Sequence, residues 1–454
     1  MHKHPQATRW ELGRRWCAVA ALLLGVACQP SGAGLVLEVG QIPGTAQALS
    51  VTVYVGEQPI SQHTFDSDIA GQSSIELGYR IPEDKLGVEL RFVVEAQAGS
   101  CRLAQGSTRY TASAPERFTV AIALAAPTPL ASASMQPTLT AVHGSSDSNV
   151  WAVSADGRLV RWDGCGWSIS SGISSKQLNA VHVVGADEVW AVGESAAILH
   201  YSAGELKAVP AVLDGGPVLG AYKGVWQAAP NDVWLVGSNA DMNLCLLHHF
   251  DGSRLQDFSS LCATALGTPK VVDLTAIWGS ATADGATLFA GGERSPNVVA
   301  GGGSAAALLV KKGSGSWQPV ALDSAIATKA ERVSSLLGLS PDEVLLGVNY
   351  GTLIHSRSPD FPAGRELVVD AGRSPTLDDT IVAITGDSAR NLSLLYAAGT
   401  GFSIYRSRAA VAPWSDVSSE VGSMLPRTRS LFASSPGRLF LVGASGLAAQ
   451  HLFP

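Results

Sequence analysis

The stretch Leu139-Thr-Ala-Val-His143, then Asn149-Val-Trp-Ala-Val153, Leu159-Val-Arg-Trp162 and Asp163-Gly-Cys-Gly-Trp167, decides the fold, because the chain repeats it. Leu178-Asn-Ala-Val-His182, Asp187-Glu-Val-Trp-Ala-Val-Gly193 and Ile198-Leu-His-Tyr201 form the second copy, 39 residues on. Aligned on the tryptophan, the copies place Trp151, Trp190, Trp234, Phe289, Leu345, Tyr396 and Phe440 in one slot. A small or aliphatic pair and usually a glycine follow, as in Leu235-Val-Gly237, Ala290-Gly291 and Leu441-Val-Gly443. An opening strand precedes each slot, for example Lys223-Gly-Val-Trp226, Leu274-Thr-Ala-Ile-Trp278 or Ser430-Leu-Phe-Ala433.

Seven copies at spacings of 39 to 56 residues, each with about four short β-rich runs cut by Gly, Asp and Ser, predict a β-propeller over residues 138–454. One four-stranded sheet cannot bury both faces, so such sheets stand side by side around an axis. Helical repeats of similar length would need a 3.6-residue periodicity that these runs lack.

Upstream, residues 34–125 hold short runs such as Leu35-Val-Leu-Glu-Val39, Leu49–Val55, Val88–Val94, Ser107–Tyr110 and Phe118–Leu124, several with alternating apolar and polar residues. They predict an immunoglobulin-like β-sandwich with one face of each sheet packed. The fold class is therefore all-β, a sandwich followed by a seven-bladed propeller. Residues 126–137, rich in Pro, Ala and Ser, form the boundary. The last copy stops at its third strand, Gln450-His-Leu-Phe453, so this linker is also expected to supply the missing outer strand there and close the ring.

Residues 1–27 read as a signal peptide. Arg14-Arg15 precede an apolar run, Trp16–Ala27, too short to span a bilayer. Leu24-Gly-Val-Ala-Cys28 resembles a bacterial lipobox, although Gly25 replaces the usual aliphatic residue. The resemblance implies lipid on Cys28, including palmitate, a tether over residues 28–33, and membrane anchoring. Gln29 after the cysteine implies an outer-membrane lipoprotein, facing the periplasm or the surface. The alternative is an ordinary signal cleaved after Ala27.

The net charge is −7, and the basic leader carries +3 of it, leaving −10 on the rest. That balance argues against a nucleic-acid partner. Four cysteines remain outside residues 1–28. Cys245 falls in the third strand of copy three and Cys262 where its fourth should return, a candidate disulfide. Cys101 and Cys165 are the other pair, bridged or free.

The copies resemble the Trp-Ala-Val-Gly repeats of photosystem II assembly factor and sialidase-type propellers, and more closely the secreted propeller lipoproteins of myxobacteria. The motifs carrying this are Asn149–Val153, Glu188–Gly193, Asp232–Gly237 and Asp163–Trp167. Ala98–Leu103 is similar to a cysteine-bearing hairpin of myxobacterial lipoprotein amino-terminal domains.

No His-Glu-x-x-His, Gly-x-Ser-x-Gly, Walker or Cys-x-x-Cys motif occurs, so the sequence implies no catalytic residue, metal or cofactor. Asp66–Gly71 begins like a calcium loop but has Leu77 where the bidentate Glu belongs. Adjacent His248 and His249 point to opposite faces of a strand. Arg158, Arg161, Arg357 and Arg406 fall at third strands rather than in one pocket. Asp187, Asp232 and Asp342 before the Trp slots read as turn residues bonding their own backbone. His143, His182, Trp226 and Trp278 end the first four opening strands and are candidates for ligand binding at a channel mouth. The glycine-rich loop 293–306 is a candidate recognition loop. Together these features favour a monomeric, surface-anchored propeller scaffold for a protein or glycan, and more a binding module than an enzyme. The alternative is an exported propeller enzyme acting on carbohydrate, a glycosidase or lyase.

Overall fold

A computed structural model describes residues 10–12 and 34–453, except 67–68, 70, 100, 112–116, 125–127, 130–136, 173, 186, 265–269, 283–284, 295–304, 321, 323–329, 350–351, 358–364, 369–379, 387–394, 400–403, 409–413, 423–427 and 436. Strands dominate, and helix is confined to short turns such as Ser260–Thr264 and Ser418–Val421. The chain divides into two compact units. The first holds residues 1–128 with the turns 163–166 and 202–205, and the second holds the remainder to residue 454.

In the first unit two four-stranded sheets share a core. One runs in the order Trp10–Leu12, Ser74–Arg80, Gly34–Gly40, Arg117–Ala123, and the other Gln58–Phe65, Ala48–Val55, Glu89–Ala98, Cys101–Thr111. Leu37, Val39, Val51, Val53, Leu77, Phe92 and Val94 fill the space between them. Alternate residues of each run point inward, which is why the period-two pattern was legible. Gln58–Phe65 was not; Pro59 and its polar companions suit an edge strand that needs no complete ladder. Trp10–Leu12 pairs with Leu77–Tyr79 as an edge strand inside the stretch expected to be a leader. The remainder of residues 1–33, including Cys28, lies outside the described residues. Cys101 is bridged to Cys165 (Cα–Cα 5.4 Å), which stands in a turn where the Asp163 carboxylate accepts the Cys165 and Gly166 N–H groups.

In the second unit each repeat copy folds as an antiparallel sheet with its opening strand at one edge. Copy one runs Leu139–Ser146, Asn149–Ser154, Arg158–Trp162, Trp167–Gly172. Copy two runs Leu178–Val184, Glu188–Gly193, Ile198–Ser202, Glu205–Ala208, and copy three Ala221–Ala229, Asp232–Asn239, Leu244–Phe250, Leu255–Asp257. Copies four, five and six repeat the order from Val271–Thr282, Val333–Ser340 and Ile381–Gly386. Copy seven has three strands among the described residues, Thr428–Ser435, Arg438–Gly443 and Ala448–Leu452. The linker does not extend that sheet where it can be seen. Thr128–Pro129 lies beyond Trp167–Gly172, at the outer edge of copy one, and residues 130–136 fall outside the described residues.

Every Trp slot is buried: Trp151, Trp190, Trp234, Phe289, Leu345, Tyr396 and Phe440 are at most 3% exposed. A side chain from the third strand of the following copy covers the slot, as Tyr201 covers Trp151 (4.6 Å), Phe250 covers Trp190 (5.4 Å) and Lys311 covers Trp234 (5.7 Å). Trp162 of copy one covers Phe440 of copy seven in the same way (5.9 Å), so the last sheet meets the first. Hydrogen bonds follow the same seams. Thr140 Oγ1 donates to the Leu178 carbonyl (2.5 Å), Asn179 Nδ2 to Tyr222 (3.0 Å) and Ser334 Oγ to Ile381 (2.7 Å), while Ser430 Oγ accepts the Val142 N–H across the closing seam (3.3 Å).

The glycine ending the Trp-Ala-Val-Gly motif follows from a bulge. Opening strands skip a residue near their start, between Leu178 and Ala180 and between Tyr222 and Gly224, which pushes a carbonyl toward the second strand. A Cβ on Gly193 or Gly237 would run into the carbonyl of Gln177 or Ala221. Gly237→Ala is therefore expected to lower stability by about 1–3 kcal/mol. Gly215→Ala, where an added Cβ meets nothing within 4 Å, is expected to leave the urea midpoint unchanged. Equal midpoints for the two variants would refute the close-approach account.

Candidate functional site

The second strand sets the address of the inner side chains. His143 pairs with Trp151, Trp226 with Trp234 and Trp278 with Phe289, and the same register continues as Leu337–Leu345, Thr385–Tyr396 and Phe432–Phe440. These side chains sit within the opening strands, which continue past them, as Leu139–Ser146 does past His143. They lie along the inner edge of the sheets rather than at its end, because the hairpin closes about three residues further on.

His143 and His182 stack at 4.8 Å, Phe432 reaches His143 at 5.2 Å and Trp226 reaches His182 at 6.2 Å. Each side chain also serves the seam to the next copy. Phe432, Trp226 and Trp278 lie where a Cβ on Gly144, Gly279 and Gly338 would otherwise be. Where the neighbour is not glycine, the side chain accepts a hydrogen bond: His143 Nδ1 from the Val183 N–H (3.0 Å), Thr385 Oγ1 from the Ala433 N–H (3.1 Å). Trp278 packs toward Phe289 (6.3 Å).

A second constellation recurs one strand outward. The Asp232 carboxylate accepts from Trp234 Nε1 (2.8 Å) and pairs with His249 Nε2 (2.9 Å), whose ring stacks on Trp234 at 4.5 Å. Glu188 does the same for Trp190 (3.3 Å) and His200 (2.8 Å) and also accepts Gln227 Nε2 of copy three (2.9 Å). Glu343 holds His355 (2.6 Å). The turn reading is thereby corrected for Asp232, which is spent on a tryptophan and a histidine, and for Asp342, which pairs with Lys312 (2.8 Å). The sequence carried the signal, an acid two residues before the slot and a histidine ten residues after the slot in copies two and five. His248, on the opposite strand face, bonds the Tyr222 hydroxyl (2.6 Å) and Asp257 (3.3 Å).

At the starting end of the opening strands, charges gather from three copies. Lys223 Nζ contacts both Asp273 oxygens (2.8 and 2.7 Å), and Arg332 lies 3.9 Å from Asp273 and 2.5 Å from Glu293. Residues 295–304 of the glycine-rich loop lie outside the described residues. At this end of copy three stand Leu219, just before the opening strand, and Met242, in the turn between the second and third strands, 63% and 62% exposed. Gly220 abuts the Ser238 carbonyl, so the approach to the opening strand and the turn at residues 240–243 are neighbours. Cys245 and Cys262 are bridged (Cα–Cα 6.3 Å), with Cys262 on the helical turn Ser260–Thr264 after the fourth strand rather than on it.

Arg158 pairs with Asp156 (3.0 Å) in copy one and Arg406 lies 3.8 Å from Glu420 in copy six, while the Arg357 side chain lies outside the described residues. Among the described residues no group of three or more His, Cys, Asp or Glu is placed to hold a metal ion, and no helix is long and apolar enough to cross a membrane.

Burial lowers the His143 pKa to about 4, and burial together with the His143 charge puts His182 well below its ordinary value. Above pH 6.5 both are neutral folded or unfolded, and stability is unaffected. As pH falls from 6.5 toward 4 the unfolded chain binds protons that the folded chain refuses, so stability drops, by about 3 kcal/mol for His143. His143→Thr, which copies the Thr385 arrangement, is expected to flatten urea-unfolding stability across that window; an unchanged pH slope would contradict the assignment.

No protein-family model and no curated protein sequence matches the chain. Among solved structures, YCF48 bound to D1 peptide is similar at a TM-score of 0.50 with 17% identity, covering 71% of this chain and 93% of that one. YCF48 from Cyanidioschyzon merolae is similar at 0.47, with 17% identity and 70% and 97% covered. The WD40 β-propeller domain of Doa1 is similar at 0.48, with 12% identity and 70% and 93% covered. The first likeness shows the fold: the repeat region is a β-propeller.

Proposed function

We propose that the chain is an exported lipoprotein whose seven-bladed β-propeller, following an immunoglobulin-like β-sandwich, acts as a binding scaffold for a protein partner. The observation that carries this reading is the exposed pair Leu219 and Met242 at the end of the copy-three sheet that also holds Lys223 of the Lys223–Asp273–Arg332–Glu293 network. Single exposed apolar residues are ordinary, but two large ones at one end of one sheet with charges alongside have the make-up of a protein interface, apolar in the middle and polar at the rim. That a propeller of similar fold is recorded with a bound peptide agrees with it.

The same network favours binding over glycoside cleavage. Hydrolysis of that kind uses two carboxylates with separate roles, one of them a proton donor. Asp273 and Glu293 are instead held by Lys223 and Arg332. Export through residues 1–27 and lipid on Cys28, with delivery to the outer membrane, rest on the leader sequence. The bridges Cys101–Cys165 and Cys245–Cys262 support that address, since disulfides persist in oxidising compartments.

Leu219→Asp with Met242→Asp, in a chain otherwise intact, is expected to abolish capture of a protein partner from envelope extract while leaving the melting temperature unchanged. Capture undiminished by the pair would remove this surface from the reading. Cys28→Ser is expected to move the protein from the membrane to the soluble fraction and to abolish palmitate incorporation; continued membrane association would refute the lipid anchor.

A further inference from the structure

Copy one departs from its sisters at one point. In copies two, three and five the third-strand residue beside the Trp or Leu slot is a histidine held by a carboxylate from the second strand, at 2.8, 2.9 and 2.6 Å. In copy one that residue is Arg161, in register with Trp151, and the carboxylate is replaced by Asn149. Asn149 Oδ1 accepts Trp151 Nε1 (3.0 Å), and its Nδ2 is turned to Ser145 Oγ (2.8 Å) and the Gly185 carbonyl (2.9 Å). None of these bonds goes to the arginine.

Arg161 is only 9% exposed, its guanidinium lies 5.2 Å from the centre of the Trp151 ring, and its Nε and Nη1 are buried with no hydrogen-bond partner. Nη2 is thus the nitrogen left to meet solvent. Stacking on an indole satisfies the flat face of a guanidinium but none of its N–H groups, whose acceptors lie in its plane. Buried donors without acceptors are uncommon in folded chains and call for a missing group.

We propose that Arg161 is an anion site that takes a carboxylate, supplied by an acidic side chain or the free C-terminus of a partner polypeptide. The repeat itself specifies the class. In copies two and three a single carboxylate from the second strand meets both the third-strand imidazole and the slot indole, whereas in copy one Asn149 meets only the indole. A guanidinium edge fits a carboxylate in shape and charge, and a carboxylate is the group that the sister copies use. Nature of source rests on the scaffold reading above; existence of the site does not.

The test uses the whole chain and begins with sodium acetate replacing sodium chloride at constant ionic strength. A saturable rise in melting temperature is expected, together with a saturable change in tryptophan fluorescence from Trp151. In Asn149→Glu with Arg161→His, which rebuilds the pair of copies two and five, acetate affinity is expected to fall about tenfold or more while the fold is kept. Arg161→Gln serves as the second variant should the rebuilt pair fail to fold, with the same loss expected. Absence of saturation in the parent chain, equal acetate affinity in the variants, or tighter binding of inorganic phosphate than of acetate would each overturn the assignment. Peptides then separate the sources: an amidated Glu peptide against its Gln counterpart reports a side chain, and a free against an amidated terminus reports the C-terminus. Failure of all peptides where acetate binds removes the polypeptide source and keeps the site, so it is distinguishable from failure of the scaffold reading.

Discussion

The structure of the repeat region depends on one constraint, that a sheet of four short strands has two apolar faces and cannot hide either by itself. Burying one large aromatic side chain contributes about 2–3 kcal/mol, against about 1 kcal/mol for a net hydrogen bond, so the Trp slots drive the stacking. Polar seam contacts contribute less but decide which sheet edge meets which. Thr140, Asn179 and Ser334 each reach a carbonyl of the next opening strand, and Ser430 does the reverse across the closure. Apolar area supplies the attraction and hydrogen bonds supply the register.

Along the inner edge the same constraint is met by complementary sizes. A ring in one copy is matched by glycine in the next, at Phe432 with Gly144, Trp226 with Gly279 and Trp278 with Gly338. A smaller or more polar side chain is matched by a backbone N–H, at His143 with Val183 and Thr385 with Ala433. Two solutions to one packing problem recur around the sheets. His143 and His182 are neutral near pH 7 because the surroundings that pack them also strip their water.

One strand outward, the acid, indole and imidazole groups let the repeat hold polar atoms inside the seams without leaving charges alone. Glu188 accepts from three partners on two copies. Divergence from this pattern is informative because the remaining copies provide the reference. Lys311 stands over Trp234 where Tyr201 and Phe250 stand over their slots, and Arg161 stands without the acid its sisters have.

Much of this was legible in the chain. The repeat of Trp151 and Trp190, with the aliphatic pair behind each, determined sheets of a fixed size and their need for neighbours, since hydrophobic period and turn residues act locally. The placement of His248 and His249 on opposite faces followed from strand geometry alone. Other properties needed the assembled seams. Whether His143 faces a ligand or the Val183 N–H depends on a residue 40 positions away, and whether Asp232 bonds its own turn or His249 depends on the length of an intervening hairpin. Thr128–Pro129 joined copy one rather than copy seven because strand edges are chosen by proximity in space, which a linker's composition does not encode. Sequence by itself determined which surfaces had to be buried; tertiary structure decided what met them, because a side chain's partner across a seam is set by the packing of whole sheets.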